Sequence, residues 1–335
     1  MGSHNLDSTT IPQQVSIEAF PYLRVYKDGT IERLAGTQIA PTGLDPQTGV
    51  VSKDVIIAPQ TGVSARLYRP QLHIKLLPLV VYFHGGGFFI SSTADPLYHN
   101  SLNQLAAEAK VIIVSVNYRL APENPLPAAY DDCWEALSWV ASHSSSGGGV
   151  QSPATEEPWL KNHVDFNRIF LAGDSAGANI AHHLICRISE QNPSRRLIKI
   201  CGVASIQPYF WGKEAIGSEV HDLVRKSMVD RWWSVVCPSD KGNDDPLINP
   251  FAEGAPSLEG LETCPKILVV VAGKDILRDR GWLYYEKVAK MSSSLGWGGT
   301  IEIMETLEED HVFHILNPNS ENAKALIKRL ATFLN

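Results

Sequence analysis

The chain has 335 residues, 44% of them apolar and 19% charged, enough apolar material for a sizeable core and too much for disorder to be its main state. Lys plus Arg number 29 against 36 Asp plus Glu, a net charge of −7, so neither nucleic acid nor an anionic membrane is an expected partner. The five cysteines, Cys133, Cys186, Cys201, Cys237 and Cys264, are odd in number and form no CxxC, which argues against a disulfide framework or a zinc knuckle and fits a reducing compartment.

The N-terminal stretch MGSHNLDSTTIPQQ is polar and lacks an apolar h-region, so no secretory signal is read there. Leu6 stands where a myristoylation site after Gly2 needs Ser or Thr. Residues 21–36, PYLRVYKDGTIERLAG, read as a hairpin turning at Asp28-Gly29, and VSKDVIIAP and VSARLYRP carry the strand pattern on to Pro70. The rhythm then changes. LPLVVYF (77–83), VIIVSVN (111–117), RIFLAG (168–173), KICGVAS (199–205), KILVVVAG (266–273) and TIEIME (300–305) are apolar runs suited to strands buried on both faces. Helical spacing fills 102–110, 129–143, 176–190, 277–291 and 322–334 between them. The alternation predicts one α/β domain over residues 1–335, a mostly parallel sheet with helices on both faces. The run 144–149, SSSGGG, reads as a flexible surface loop, and Pro193 blocks the glycan acceptor pattern at Asn192. No apolar run approaches the length of a membrane span, so a cytoplasmic globule is expected; its oligomeric state leaves no mark in the sequence.

Residues 208–265 break the alternation. Tyr209, Phe210, Trp211, Trp232 and Trp233 mix with charges, Gly and Pro, which suggests a helical cap over the strand ends, joined by about residues 1–20. The competing reading is a surface excursion with no role at a site. Trp211, Trp232 and Trp233 are candidates for a pocket wall, with plain packing as the alternative.

The sharpest motif is Gly173-Asp174-Ser175-Ala176-Gly177, a G-x-S-x-G between a predicted strand and helix. A tight strand-to-helix turn would force Ser175 into strained geometry and push its hydroxyl clear of the sheet, as a nucleophile needs. A serine that merely caps the helix is the plainer alternative. The second motif, His84-Gly85-Gly86-Gly87-Phe88, follows the strand LVVYF. Its glycines can aim backbone N–H groups into a cavity, so Gly86, Gly87 and Ala176 are expected to bind an oxyanion, with Gly85 and His84 supporting the loop. The spacing and the missing Lys-Ser/Thr exclude a phosphate cradle. A serine nucleophile needs a base and an orienting acid, in the order Ser, Asp or Glu, His. Asp275 follows the strand KILVVVAG and is preferred to Asp279, one turn later inside a helix. His311 and His314 both follow the last strand, and position favours His311 only modestly. His182 and His183 are adjacent on a helix, about 100° apart, and cannot chelate one metal; no metal or organic cofactor is expected.

Together HGGGF (84–88), NYRLAPENPLPAAYDD (117–132), GDSAGANIAHH (173–183), AGKDILRDRG (272–281) and EEDHVFH (308–314) make the chain resemble the plant carboxylesterases, hormone-sensitive-lipase-like members of the α/β-hydrolase fold, from about Phe20 onward. The resemblance implies Asp275 as the acid, His311 as the base, a structural brace at 118–123, and hydrolysis of small-molecule esters. Two relatives imply other uses of the site. The gibberellin receptor shares the HGGG and GxSxG motifs but has lost the histidine that His311 matches. The 2-hydroxyisoflavanone dehydratases resemble PYFWGKEAIGSEV and DDPLINPFAEGAPSLEGL, yet typically carry Thr and Ala where this chain has Ser175 and Gly87. Plant alkaloid-forming cyclases are neighbours too, so a lyase or cyclase is the alternative expectation.

Overall fold

The computed structural model describes residues 14–72, 76–144, 156–191 and 198–335. The first 13 residues of the expected cap, 145–149 of the SSSGGG run and the Asn192 triplet lie outside the described residues.

Two sheets are present among those residues. Strands β1 (Val15–Ala19), β2 (Leu23–Tyr26) and β3 (Ile31–Arg33) make a small antiparallel sheet, and Val25 pairs with Ile31 across the Asp28-Gly29 turn. The Asp28 carboxylate accepts the Thr30 N–H at 2.9 Å, and Gly29 takes φ +86°, as the turn dipeptide predicts. The second sheet has nine strands. It starts antiparallel with β4 (Leu44–Asp45), β5 (Val50–Ala58) and β6 (Val63–Pro70). β7 (Leu77–Phe83), β8 (Ile112–Asn117), β9 (Val164–Asp174), β10 (Gly202–Ile206), β11 (Lys266–Ala272) and β12 (Thr300–Thr306) follow. The spatial order is β12-β11-β10-β9-β7-β8-β6-β5-β4; β8 runs antiparallel to β6 and the remaining pairs are parallel.

Alternate residues of the apolar strands serve opposite faces, which is why these strands read as unbroken apolar runs. Val80 and Tyr82 of β7 pack with α1 (Pro96–Ala109) and α8 (Glu321–Leu334), whereas Leu79, Val81 and Phe83 pack with α2 (Ala128–Ser142) and α4 (Ala176–Ser189). The helix α3 (Pro158–His163) is a single short element before β9. α1 starts six residues before the apolar spacing predicts, because Asp95 caps it, accepting the Leu97 N–H at 3.0 Å, and Pro96 opens it. α6 (Arg278–Leu295) ends at Gly296 in the left-handed region.

The irregular segment holds α5 (Leu223–Val236), and β1 packs against it. The small sheet continues past residue 20 to Arg33, and its first strand meets the 208–265 insertion. Arg33 ties this sheet to the body, donating to Phe89 O at 2.7 Å, to Ala121 O at 2.9 Å and to the Glu123 carboxylate. Arg280 of α6 grips the insertion through the buried Glu219 at 2.6 Å.

Candidate active site

Ser175 sits where β9 turns into α4, at φ +53° and ψ −117°, a region that costs a non-glycine residue energy and persists only when its surroundings hold it. Its N–H is tied to Ile206 O at 2.9 Å at the end of β10. Its side chain makes no capping bond to the helix, so the capping alternative fails. α4 crosses the end of β7 so closely that a Cβ at Gly177 would overlap the Phe83 carbonyl.

The HGGG loop lies beside this turn. Gly86 has φ +98°, and a Cβ there would overlap the Ile90 carbonyl oxygen, so glycine is required. Among the described residues no protein acceptor takes the N–H of Gly86, Gly87 or Ala176, and Gly86, Gly87 and Ser175 line one cavity. His84 is fully buried. It donates from Nδ1 to Gly85 O at 2.7 Å and stacks on Tyr118 at 4.3 Å between ring centroids. Burial pushes its pKa down to about 4, so it is a neutral prop for the loop.

One buried carboxylate joins the two motifs. Asp174 accepts the Tyr82 hydroxyl at 2.7 Å and the Tyr98 hydroxyl at 2.7 Å, and Tyr98 in turn accepts the Gly85 N–H at 2.8 Å. Burial raises the Asp174 pKa, and the two phenols pull it partly back.

His311, in the loop after β12, reaches this turn from the far edge of the parallel strands. Its Nε2 is 3.0 Å from Ser175 Oγ and its Nδ1 is 2.7 Å from Asp275 Oδ2. Asp275 is buried, and its other oxygen accepts the Leu277 N–H at 2.9 Å. Burial opposes the imidazolium, but the Asp275 carboxylate with Asp174 and Asp310 outweighs it, leaving His311 above its ordinary pKa. His314 is elsewhere. It has no hydrogen-bond partner among the described residues, is buried on α7 (Phe313–Leu316), and burial pushes its pKa down to about 3. Asp279 serves a different purpose, accepting the Ser218 hydroxyl at 2.7 Å and pairing with Arg278. His182 is buried against the Tyr284 hydroxyl, His183 is half-buried and donates to Leu247 O, and the two rings meet edge to face with centroids 5.1 Å apart.

The cavity, about 400 Å³, lies between this constellation and the cap. Of the three tryptophans only Trp232 lines it, with Tyr22 and Phe89 as its ring neighbours. Trp211 and Trp233 correct the sequence expectation: both are essentially fully buried. Trp211 donates to Asp230 at 2.7 Å, and Trp233 packs against Phe88 and Tyr209. Arg225, Met228, Val229 and Trp232 recur at i, i+3, i+4, i+7 and face the cavity, whereas Trp233 lies at the edge of that stripe, where Phe88 and Tyr209 cover it. Sequence reasoning also missed Tyr22, Phe89, Tyr82, Tyr98, Gln207 and Arg225, residues in no motif, brought in from distant parts of the chain.

A mostly parallel sheet with a strained serine at a strand-to-helix turn, linked through a histidine to a buried aspartate, defines an α/β hydrolase. The chain belongs to that family, matching the sequence profile of the alpha/beta hydrolase fold over residues 80–315. It is 53% identical to probable carboxylesterase 2 of Arabidopsis thaliana, over 96% of this chain and 97% of that protein. To 2-hydroxyisoflavanone dehydratase of Glycyrrhiza echinata it is 46% identical, over 98% of each. Among solved structures an esterase of Pyrobaculum calidifontis is similar with a TM-score of 0.67 at 26% identity, over 84% of each chain.

Proposed function

We propose that the chain is a carboxylesterase that hydrolyses esters of small plant metabolites, with Ser175 as nucleophile, His311 as base and Asp275 as orienting acid. The observation that carries this reading is the hydrogen-bond chain of 3.0 and 2.7 Å that ends at Ser175 Oγ inside the cavity, beside three backbone N–H groups without protein acceptors. Ser175 Oγ attacks the ester carbonyl carbon while His311 Nε2 takes its proton. Asp275 accepts Nδ1–H, which fixes the tautomer with Nε2 free and stabilises the imidazolium. The N–H groups of Gly86, Gly87 and Ala176 take the developing oxyanion. His311 then protonates the departing alcohol and deprotonates the water that releases the acid from Ser175. Gly85 and His84 hold the oxyanion loop. The insertion 208–265, with the N-terminal sheet, is the roof of the pocket, and its volume and aromatic lining suit short or aromatic acyl groups rather than long chains.

A lyase reading rests on the dehydratase relative, since abstracting a proton beside a carbonyl also needs a base and an oxyanion site. Ser175 favours acyl transfer, because an unbranched hydroxyl attacks freely where threonine would crowd. The paired His311 favours an enzyme over a hormone receptor.

The test is covalent. A p-nitrophenyl ester or an organophosphonate should add its acyl or phosphonyl mass at Ser175, and Ser175→Ala should abolish the adduct and cut kcat by roughly five orders of magnitude. A parent that forms no adduct with any ester yet dehydrates a 2-hydroxyisoflavanone is a lyase.

A further inference from the structure

We propose that Arg225 of the cap is a positioning residue that clamps the acid-bearing loop to the base-bearing loop, so that cap seating brings Asp275 and His311 into register. The proposal rests on the esterase reading of Ser175, His311 and Asp275. Arg225 lies in the first turn of α5, and Asp222 Oδ1 accepts its N–H at 2.9 Å. Its guanidinium reaches out of the cap with two arms. Nη1 donates to Lys274 O at 3.0 Å, and Lys274 immediately precedes Asp275. Nη2 donates to Asp310 Oδ1 at 3.0 Å, and Asp310 immediately precedes His311. The same Asp310 oxygen accepts the His311 N–H at 2.7 Å. On the body side Gln207 Oε1 accepts the Val312 N–H at 2.6 Å, so the histidine is pinned through both of its chain neighbours. The two loops also touch directly, Lys274 N–H donating to Glu309 O at 2.9 Å.

The Arg225 side chain is 35% exposed and Asp310 is 55% exposed, so the pair adds little to stability. Its consequence is geometric. A planar fork holds two loops at once in one fixed geometry, which a compact, freely rotating lysine ammonium does not impose. It also pairs with a carboxylate that acts on His311. That imidazole is faced by Asp275 from the loop after β11, Asp174 from the end of β9, Asp310 from its own loop, and His314 on α7, which burial keeps neutral, while Arg225 from α5 is bonded to Asp310. Tyr22 of the cap faces Arg225 and Asp310 with a phenol that burial keeps protonated.

Arg225→Gln, Arg225→Lys and Asp310→Asn are compared on p-nitrophenyl acetate, a small ester with no carboxylate to bond Arg225. Misplacing the base predicts that Arg225→Gln lowers kcat about tenfold with KM within about twofold. Freed of its partner, Asp310 favours the imidazolium, so the acidic limb of kcat/KM moves up by about half a pH unit. Arg225→Lys restores the limb and not kcat. Asp310→Asn lowers kcat and moves the limb down. Unchanged kcat and limb in both Arg225 variants overturn the clamp. A rise in KM alone, largest for esters bearing a carboxylate, overturns it in favour of a substrate-binding cation. Organophosphonate labelling of the parent separates the failures: an unlabelled parent removes the esterase reading, whereas a labelled parent matched by Arg225→Gln removes only the clamp.

Discussion

The cavity has two walls built on different terms. The wall supplied by the sheet is buried. Asp174, Ser175, His84 and Asp275 are all buried, and each is hydrogen-bonded, Asp174 to Tyr82 and Tyr98, Ser175 and Asp275 to His311, and His84 to Gly85 O. The wall supplied by the cap is half-exposed, with Tyr22, Arg225, Met228 and Trp232 on one small sheet and one helix. Buried groups bonded at fixed distances do not move when the substrate changes, so chemistry belongs to the first wall. Arg225 reaches across to the loops of the first wall, but the half-exposed Tyr22, Met228 and Trp232 bond none of its reactive groups and can be exchanged without disturbing it, so selectivity belongs to them.

The three cap tryptophans give the largest test of that division. Trp211→Ala and Trp233→Ala each remove a fully buried indole and should cost about 3–5 kcal/mol of stability, read by denaturant unfolding. Trp232→Ala removes a half-buried ring whose N–H is bonded to Phe20 O, so it should cost much less and should instead change the ranking of aromatic against acetyl esters by kcat/KM. Equal destabilisation by all three with unchanged ranking would return Trp232 to plain packing.

The same division explains what the sequence made legible. Strands buried on both faces announce themselves as apolar runs, and the two motifs, each following such a run, mark Gly86, Ser175 and Gly177, although Gly177 is forced by the Phe83 carbonyl of a different strand rather than by a local contact. The proposed acid and base, Asp275 and His311, needed the resemblance to separate them from Asp279 and His314, because spacing along the chain does not report burial. Tyr82 and Tyr98 lie 92 and 76 residues from Asp174, and neither carries a motif. The cap was legible as an interruption but not as a surface: which face of α5 meets the cavity depends on what the small sheet and Trp211 occupy on the other side.

Asp174 tests whether the buried wall is one unit. Asp174→Asn keeps the shape but turns one acceptor into a donor facing a tyrosine hydroxyl. Leaving a buried donor unmatched costs about 1–3 kcal/mol. If the network holds the oxyanion loop, kcat should fall with it, because Tyr98 also accepts the Gly85 N–H. A stability loss with kcat intact would show that the loop holds itself. Tyr98→Phe, which removes only the shared hydroxyl, should reproduce the effect on kcat at smaller cost in stability.

The smallest effect is a titration, and its sign follows from the neighbours of His311. Only neutral imidazole can take the Ser175 proton, so kcat/KM should fall about tenfold per pH unit on the acidic side. Burial alone would move that limb below the ordinary histidine value of about 6.5. The carboxylates of Asp275, Asp174 and Asp310 act the other way and prevail, so the midpoint should lie above that value. His314 is the control. Burial pushes it down to about 3 and leaves both its nitrogens without partners, so it carries no charge in the assay range. Replacing a buried polar ring that has no partner with an apolar side chain loses no hydrogen bond. His314→Leu should therefore leave the limb in place. A midpoint below the ordinary histidine value would mean that desolvation, rather than the carboxylates of the sheet wall, governs the base. A limb that moves with His314→Leu would mean that the two histidines titrate together.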